Sequence, residues 1–163
     1  MRRGREKLSD HFTLEELTKS STASRLSIKN RPNMEASFNL RALCEDVLEP
    51  IRAHYNIPFS PSSGYRSKEL NKAIGGSSDS QHCEGKAVDF EIPGVDNLDV
   101  AVYIISSGIP FDQLILEYYK HGVPNSGWVH ISLNYAFAVE SRNRKEVLTF
   151  DGNSYSKDIP LTS

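Results

Sequence analysis

The sequence predicts an α+β fold, a mainly antiparallel sheet with helices packed on one face, and three observations carry that prediction. Leu40, Leu43, Val47, Leu48, Ile51 and Tyr55 recur three and four residues apart, which marks a helix with one apolar face. Segments 87–92, 112–118 and 128–133 alternate apolar and polar residues with the two-residue period of a half-buried strand. Early helices followed by strands interleaved with helix define the α+β class.

At 163 residues the chain is long enough for one real core, and a single domain over 1–163 is expected. Apolar residues at 38% and charged residues at 25% are ordinary for a soluble protein. The formal net charge of −2 gives no electrostatic case for nucleic acid. Arg2, Arg3, Arg5 and Lys7 form the one basic run, which reads as a solvated terminus. Cys44 and Cys83 are expected as free thiols. No apolar h-region follows the N-terminal arginines, and no apolar run is long enough to span a bilayer. A soluble monomer made in the cytoplasm without a signal peptide is therefore expected, with release left to another factor.

The elements follow in order. Thr13 and Glu16 form a capping box, with Phe12 and Leu17 as the hydrophobic staple around it. Residues 19–32 read as a loop. A helix spans about 35–55, and Pro50 should kink or split it. Residues 57–62 look extended and lead into Gly64-Tyr65-Arg66. Ser67 caps a short helix to Ile74, which Gly75-Gly76 ends. Residues 77–81 are a loop before the first strand. A helix over 98–107 takes its cap from Asp96 or Asn97. The second strand puts Leu114, Leu116 and Tyr118 on its apolar side, and a Gly/Pro-containing loop precedes the third. Asp151-Gly152 signals a turn after 147–150, so residues 136–163 are expected to form a hairpin or a tail beyond a core of about 10–135.

Alternation leaves Asp89, Glu117 and His130 on the non-core faces of the three strands. If those strands are neighbours, their polar faces form one floor. His82 precedes Asp89 by seven residues, in a loop that opens onto that strand. Two imidazoles and one carboxylate suit an open zinc site, which needs three protein ligands and one position for water. Cys83 is set aside, because a second soft ligand would close the site. A base must still manage protons, and Glu117 is the candidate, with Asp112 and Glu91 weaker ones. Arg66 can hold a substrate carboxylate or a developing oxyanion. Tyr65, Gln81 and Trp128 are candidates to line the substrate cleft.

Taken together, S-G-Y-R-S followed by L-N, then S-x-Q-H-x-x-G-x-A-x-D, then W-V-H-I-S, resemble the zinc peptidases of the M15 group. That group contains D-Ala-D-Ala carboxypeptidase-like enzymes and peptidoglycan endopeptidases. F-T-L-E-E-L-T-K-S and N-L-R-A-L…V-L-E-P-I-R are similar to its phage and prophage branch. The resemblance covers about residues 10–135. It implies the small α+β fold shared with the hedgehog signalling domain and one zinc per chain on His82, Asp89 and His130. It also implies Arg66 at the substrate, and peptidoglycan peptide stems as the substrate class.

One position departs from that pattern. Many members carry an acidic base three residues before the last zinc histidine, where this chain has Gly127. F-D-Q-L-I-L-E resembles the segment preceding W-V-H in the phage-like branch, which again points to Glu117. Two functions are carried forward. One is a zinc peptidase that cuts cell-wall peptides, as a carboxypeptidase or an endopeptidase and as a candidate phage lysis enzyme. The other is a non-catalytic zinc module of the same fold, such as a virion component.

Overall fold

The computed structural model describes residues 6–135 and 143–159. The arginines at 2, 3 and 5, and residues 136–142 and 160–163 of the expected tail, lie outside the described residues. Helix α1, Leu14–Thr18, opens on the predicted capping box. Thr13 Oγ1 accepts from the Glu16 backbone N–H at 3.2 Å, and Glu16 Oε2 accepts from the Thr13 N–H at 2.9 Å. Five residues are too few to hold a helix alone. The staple residues Phe12 and Leu17 are both buried, and each such burial contributes about 1.5–3 kcal/mol.

Within the expected 19–32 loop the chain forms a second short helix, α2, Ser21–Arg25, whose N-cap Ser20 accepts from the Ala23 N–H. Its one buried residue is Ala23, so it carries no apolar stripe for periodicity to reveal. The long predicted helix is continuous but changes pitch: α3 runs Met34–Leu43, a π turn follows over Cys44–Leu48, and α4 runs Glu49–Tyr55. The Glu49 N–H bonds back to the Cys44 carbonyl, one residue further than in an α-helix. Pro50 explains the wide turn. It has no N–H to give, and its ring would strike the carbonyl four residues back in a regular α ladder. Helix α5, Lys68–Ala73, is capped by Ser67 as expected.

Among the described residues five strands form one sheet in the order β1-β3-β2-β4-β5. They are β1 Ala87–Phe90, β2 Gln113–Glu117, β3 Trp128–Ser132, β4 Glu146–Phe150 and β5 Tyr155–Lys157. The β1–β3, β3–β2 and β4–β5 pairs are antiparallel, whereas β2–β4 is parallel. The C-terminal segment is thus a hairpin that extends the sheet edge. Asp151 Oδ1 accepts the Asn153 and Ser154 N–H groups in its turn.

Val88, Phe90, Leu114, Leu116, Val129 and Ile131 share one buried cluster with Leu40, Leu43, Val47 and Ile51 of the long helix. Helix α6, Asn97–Ser107, is capped by Asp96, buries Val100, Ala101 and Ile104, and packs on β2 and β3. Helices cover this face, and the opposite face of the sheet floors a cleft. Tyr118 departs from its predicted side. Its φ of +56° breaks the alternation, and its ring leaves the core side and lines the cleft.

Candidate metal centre

The register decides which polar residues meet. Asp89 pairs with His130 across β1–β3, and Ile115 pairs with His130 across β3–β2. Glu117 pairs with Trp128 two residues along. Because side chains alternate along each strand, Asp89, His130 and Glu117 all point away from the helices. The three strands are neighbours, so the polar floor exists.

His82 enters from a one-turn 3-10 helix, Gln81–Glu84, capped by Ser80. The turn is held to α3 by Asn39, whose Nδ2 donates to the Glu84 carbonyl at 2.9 Å. His82 is only 2% exposed. Its Nδ1–H donates to the Gly64 carbonyl at 2.7 Å, and that bond fixes the tautomer with the Nε2 lone pair facing the floor. From there Nε2 lies 3.4 Å from Asp89 Oδ1, while His130 Nδ1 lies 2.9 Å from the same oxygen. One donor atom from each of the three residues falls within 4.8 Å of the others. The set is two nitrogens and one carboxylate oxygen with one side open to a cleft, which is compatible with zinc.

Electrostatics prepare the same donors. Burial works to raise the Asp89 carboxyl, but the charge and hydrogen bonds of His82 and His130 outweigh it and hold the group well below the usual carboxylate range. Burial pushes the His82 imidazole below its ordinary value, with Asp89 acting against that shift. A neutral imidazole and an ionised carboxylate are the forms in which these groups ligate a metal.

Arg66 is delivered by backbone contacts. The Ser62–Ser63 segment runs against β1, where the Ser62 N–H donates to the Asp89 carbonyl at 2.9 Å and the Asp89 N–H to the Ser63 carbonyl at 2.8 Å. The Arg66 N–H then donates to the His82 carbonyl at 3.1 Å. Gly64 sits so tightly on α1 that a Cβ there would lie 2.3 Å from the Leu17 carbonyl oxygen. Arg66 lines the cleft, and its buried Nε has no hydrogen-bond partner among the described residues. Burial lowers its pKa, against the pull of Asp89, Cys83 and Glu117.

The other candidates separate. Glu117 Oε1 lies 3.8 Å from His130 Nδ1, at the edge of the ligand set. Burial and the Asp89 charge push its carboxyl upward, while His130 and Arg66 pull it down. Trp128 and Gln81 line the cleft, with the Gln81 amide committed to Asp112 Oδ2 at 3.0 Å. Tyr65 packs against the core and is not among the lining residues. Asp112 is buried and saturated: Arg144 donates to it from its backbone N–H, Nε and Nη2, the last at 2.8 Å. That network leaves Asp112 no role as a base. Glu91 accepts from Asn97 Nδ2 at 3.0 Å and does not line the cleft.

Gly127 explains the chain's departure at that position. Its φ is +64°, and a Cβ there would lie 1.8 Å from the Glu117 carbonyl oxygen, 2.6 Å from Tyr118 C and 2.8 Å from Tyr119 N. No side chain of any kind fits. Sequence reasoning passed over Asn39 and the Asp112–Arg144 pair. A polar residue on the buried stripe of α3 was the available signal for the first. The second joins residues 32 apart, with nothing local to mark it.

The cleft over this floor has a volume of about 770 Å³. Its far end is polar, with Ser77, Asp79, Gln113 and Arg144, and its other end is aromatic. The family model described as Peptidase M15 matches residues 10–132, a span that contains all three donors, Arg66 and Glu117. No curated protein matches the chain.

Proposed function

The chain belongs to the Peptidase M15 family, and from that premise we propose that it is a zinc-dependent peptidase hydrolysing the peptide stems of bacterial peptidoglycan. The observation that carries the reading is the convergence of His82, Asp89 and His130, with Glu117 3.8 Å from His130, on the floor of an open cleft.

In this reading His82, Asp89 and His130 would hold one zinc ion per chain. Bound there, zinc would supply Lewis-acid polarisation of a carbonyl and a water of lowered pKa. Glu117 takes the proton from the attacking water and returns it to the leaving amine. A carboxyl raised by its surroundings is better matched to that exchange near neutral pH than an ordinary one. Arg66 lines the cleft, where its guanidinium is placed to meet a substrate carboxylate or oxyanion. The Gly64 carbonyl holds His82 in its ligating tautomer.

The hairpin that extends the sheet supports treating residues 1–163 as one domain. No helix among the described residues is long and apolar enough to cross a membrane. The likeness of F-T-L-E-E-L-T-K-S to the phage branch supports a lysis enzyme that reaches the wall after release.

The test is incubation of zinc-loaded protein with peptidoglycan, with and without a chelator, reading the fragments by mass. Chelator-sensitive fragments support the peptidase, and their ends identify the bond as terminal or internal. No fragments from several wall chemistries, with zinc bound, would overturn it in favour of a non-catalytic zinc module.

A further inference from the structure

The aromatic end of the cleft is a continuous row. Trp128 of β3 pairs with Glu117 of β2, Glu117 with Phe150 of β4, and Phe150 with Tyr155 of β5. These residues therefore cross the sheet in one line, about 14 Å long at ~4.8 Å per strand. Tyr118 completes the row. Regular alternation would send its ring into the helical layer, but its left-handed backbone brings it between Trp128, at 5.0 Å, and Phe150, at 5.5 Å. Phe150 in turn stacks on Tyr155 at 4.4 Å. A left-handed non-glycine residue costs about 1–3 kcal/mol, and such strain persists mainly where a site uses it.

The shelf is open, and its rings are uncharged. Tyr118 is 45% exposed and Tyr155 60% exposed, and all four rings line the same cleft as the ligand set. Glu117 is the one charged residue in this row, so a phosphate or a nucleic-acid strand, which needs a positive groove, finds no partner there. Neutral rings with apolar faces and hydroxyl rims match it, because aromatic faces pack against the C–H face while phenol hydroxyls reach the rim. Phe150 and Tyr155 lie beyond residue 132, where the family match ends.

We propose that Trp128, Tyr118, Phe150 and Tyr155 form a saccharide subsite that holds the amino-sugar ring to which the stem peptide is joined. The proposal rests on the peptidoglycan reading and sharpens it. Tyr155 lies two strand spacings, about 10 Å, from Glu117, a distance that an extended peptide covers in about three residues. The favoured bond is then near the glycan end of the stem.

The test is calorimetric titration of zinc-loaded protein with the tetramer of N-acetylglucosamine, alongside the emission of Trp128, the chain's single tryptophan. Saturable binding that alters that emission is expected. Tyr155→Ala should weaken it about fivefold or more, and Tyr155→Phe should restore it. On wall fragments, the ratio of kcat/KM for glycan-linked over free stems should exceed one and fall toward one in Tyr155→Ala. No binding at millimolar sugar, or binding indifferent to Tyr155→Ala, overturns the subsite. Sugar binding without hydrolysis of any stem would keep the subsite and overturn the peptidase reading alone.

Discussion

Gly127→Ala is the substitution whose cost the structure fixes most closely. The added methyl would lie 1.8 Å from the Glu117 carbonyl oxygen and under 3 Å from backbone atoms of Tyr118 and Tyr119. All three are backbone atoms of the segment that carries Glu117, so no side-chain rotation can relieve the contact. Holding alanine at φ +64° adds about 1–2 kcal/mol, and overpacking at such a contact adds about 1–3 kcal/mol. A total near 3 kcal/mol corresponds to a fall in Tm of about 6–12 °C for a chain of this size. The assay is thermal unfolding by circular dichroism on zinc-loaded protein, with turnover measured at 25 °C. Turnover should drop as well, because relief of the clash displaces Glu117. Gly127→Asp should behave no better, although it places an acid three residues before His130. A Gly127→Ala protein that melts within 2 °C of wild type, or a Gly127→Asp, Glu117→Gln protein with near wild-type turnover, would refute the reasoning.

Replacing His82, Asp89 or His130 with Ala should abolish stoichiometric zinc and activity together, checked by metal analysis; full activity in any of them would sink the ligand assignment. Glu117→Gln should keep zinc and lose about 10²–10⁴ in kcat, and wild-type kcat would move the base elsewhere. Asn39→Ala should weaken zinc binding about tenfold or more by freeing the turn that presents His82; unchanged affinity in a competition titration would make that bond merely local. Asp112 has a carboxyl held below its usual value, because bonds from Arg144 and Gln81 outweigh burial. Its stability contribution is therefore present above the unfolded carboxylate value of about 4 and is lost as pH falls through the lower folded value. The Tm gap between wild type and Asp112→Asn should be full at pH 6 and shrink below about pH 4, and a gap of equal size at pH 3 would contradict that account.

What was legible in the sequence was local or periodic. Thr13 and Glu16 state their own cap, and the alternation of 87–90, 113–117 and 128–132 places Asp89, Glu117 and His130 on one face. Pro50 announced a disturbance, although a π turn absorbs it without breaking the helix. The missed features depend on contacts that no local pattern encodes. The parallel β2–β4 pairing joins segments about thirty residues apart, with β3 in the chain between them. Tyr118 escapes its predicted side because one backbone torsion is positive, and nothing in L-E-Y-Y signals that.

The N-terminal helix shows how far the site reaches into residues that carry no chemistry. The Tyr65 N–H donates to the Leu17 carbonyl at 2.7 Å, on the last turn of α1, and Gly64 leaves no room for a side chain above that carbonyl. Asn30 closes the same corner. Its Nδ2 donates to the Thr18 and Tyr65 carbonyls, and its Oδ1 accepts from the Ser67 N–H. The Gly64 carbonyl thus held is the acceptor that orients His82, and the next residue but one is Arg66. Helix α1 is anchored in its turn by the buried Phe12 and Leu17. Loss of the staple would therefore reach His82 through these contacts. The family match, which begins at residue 10, takes in this helix.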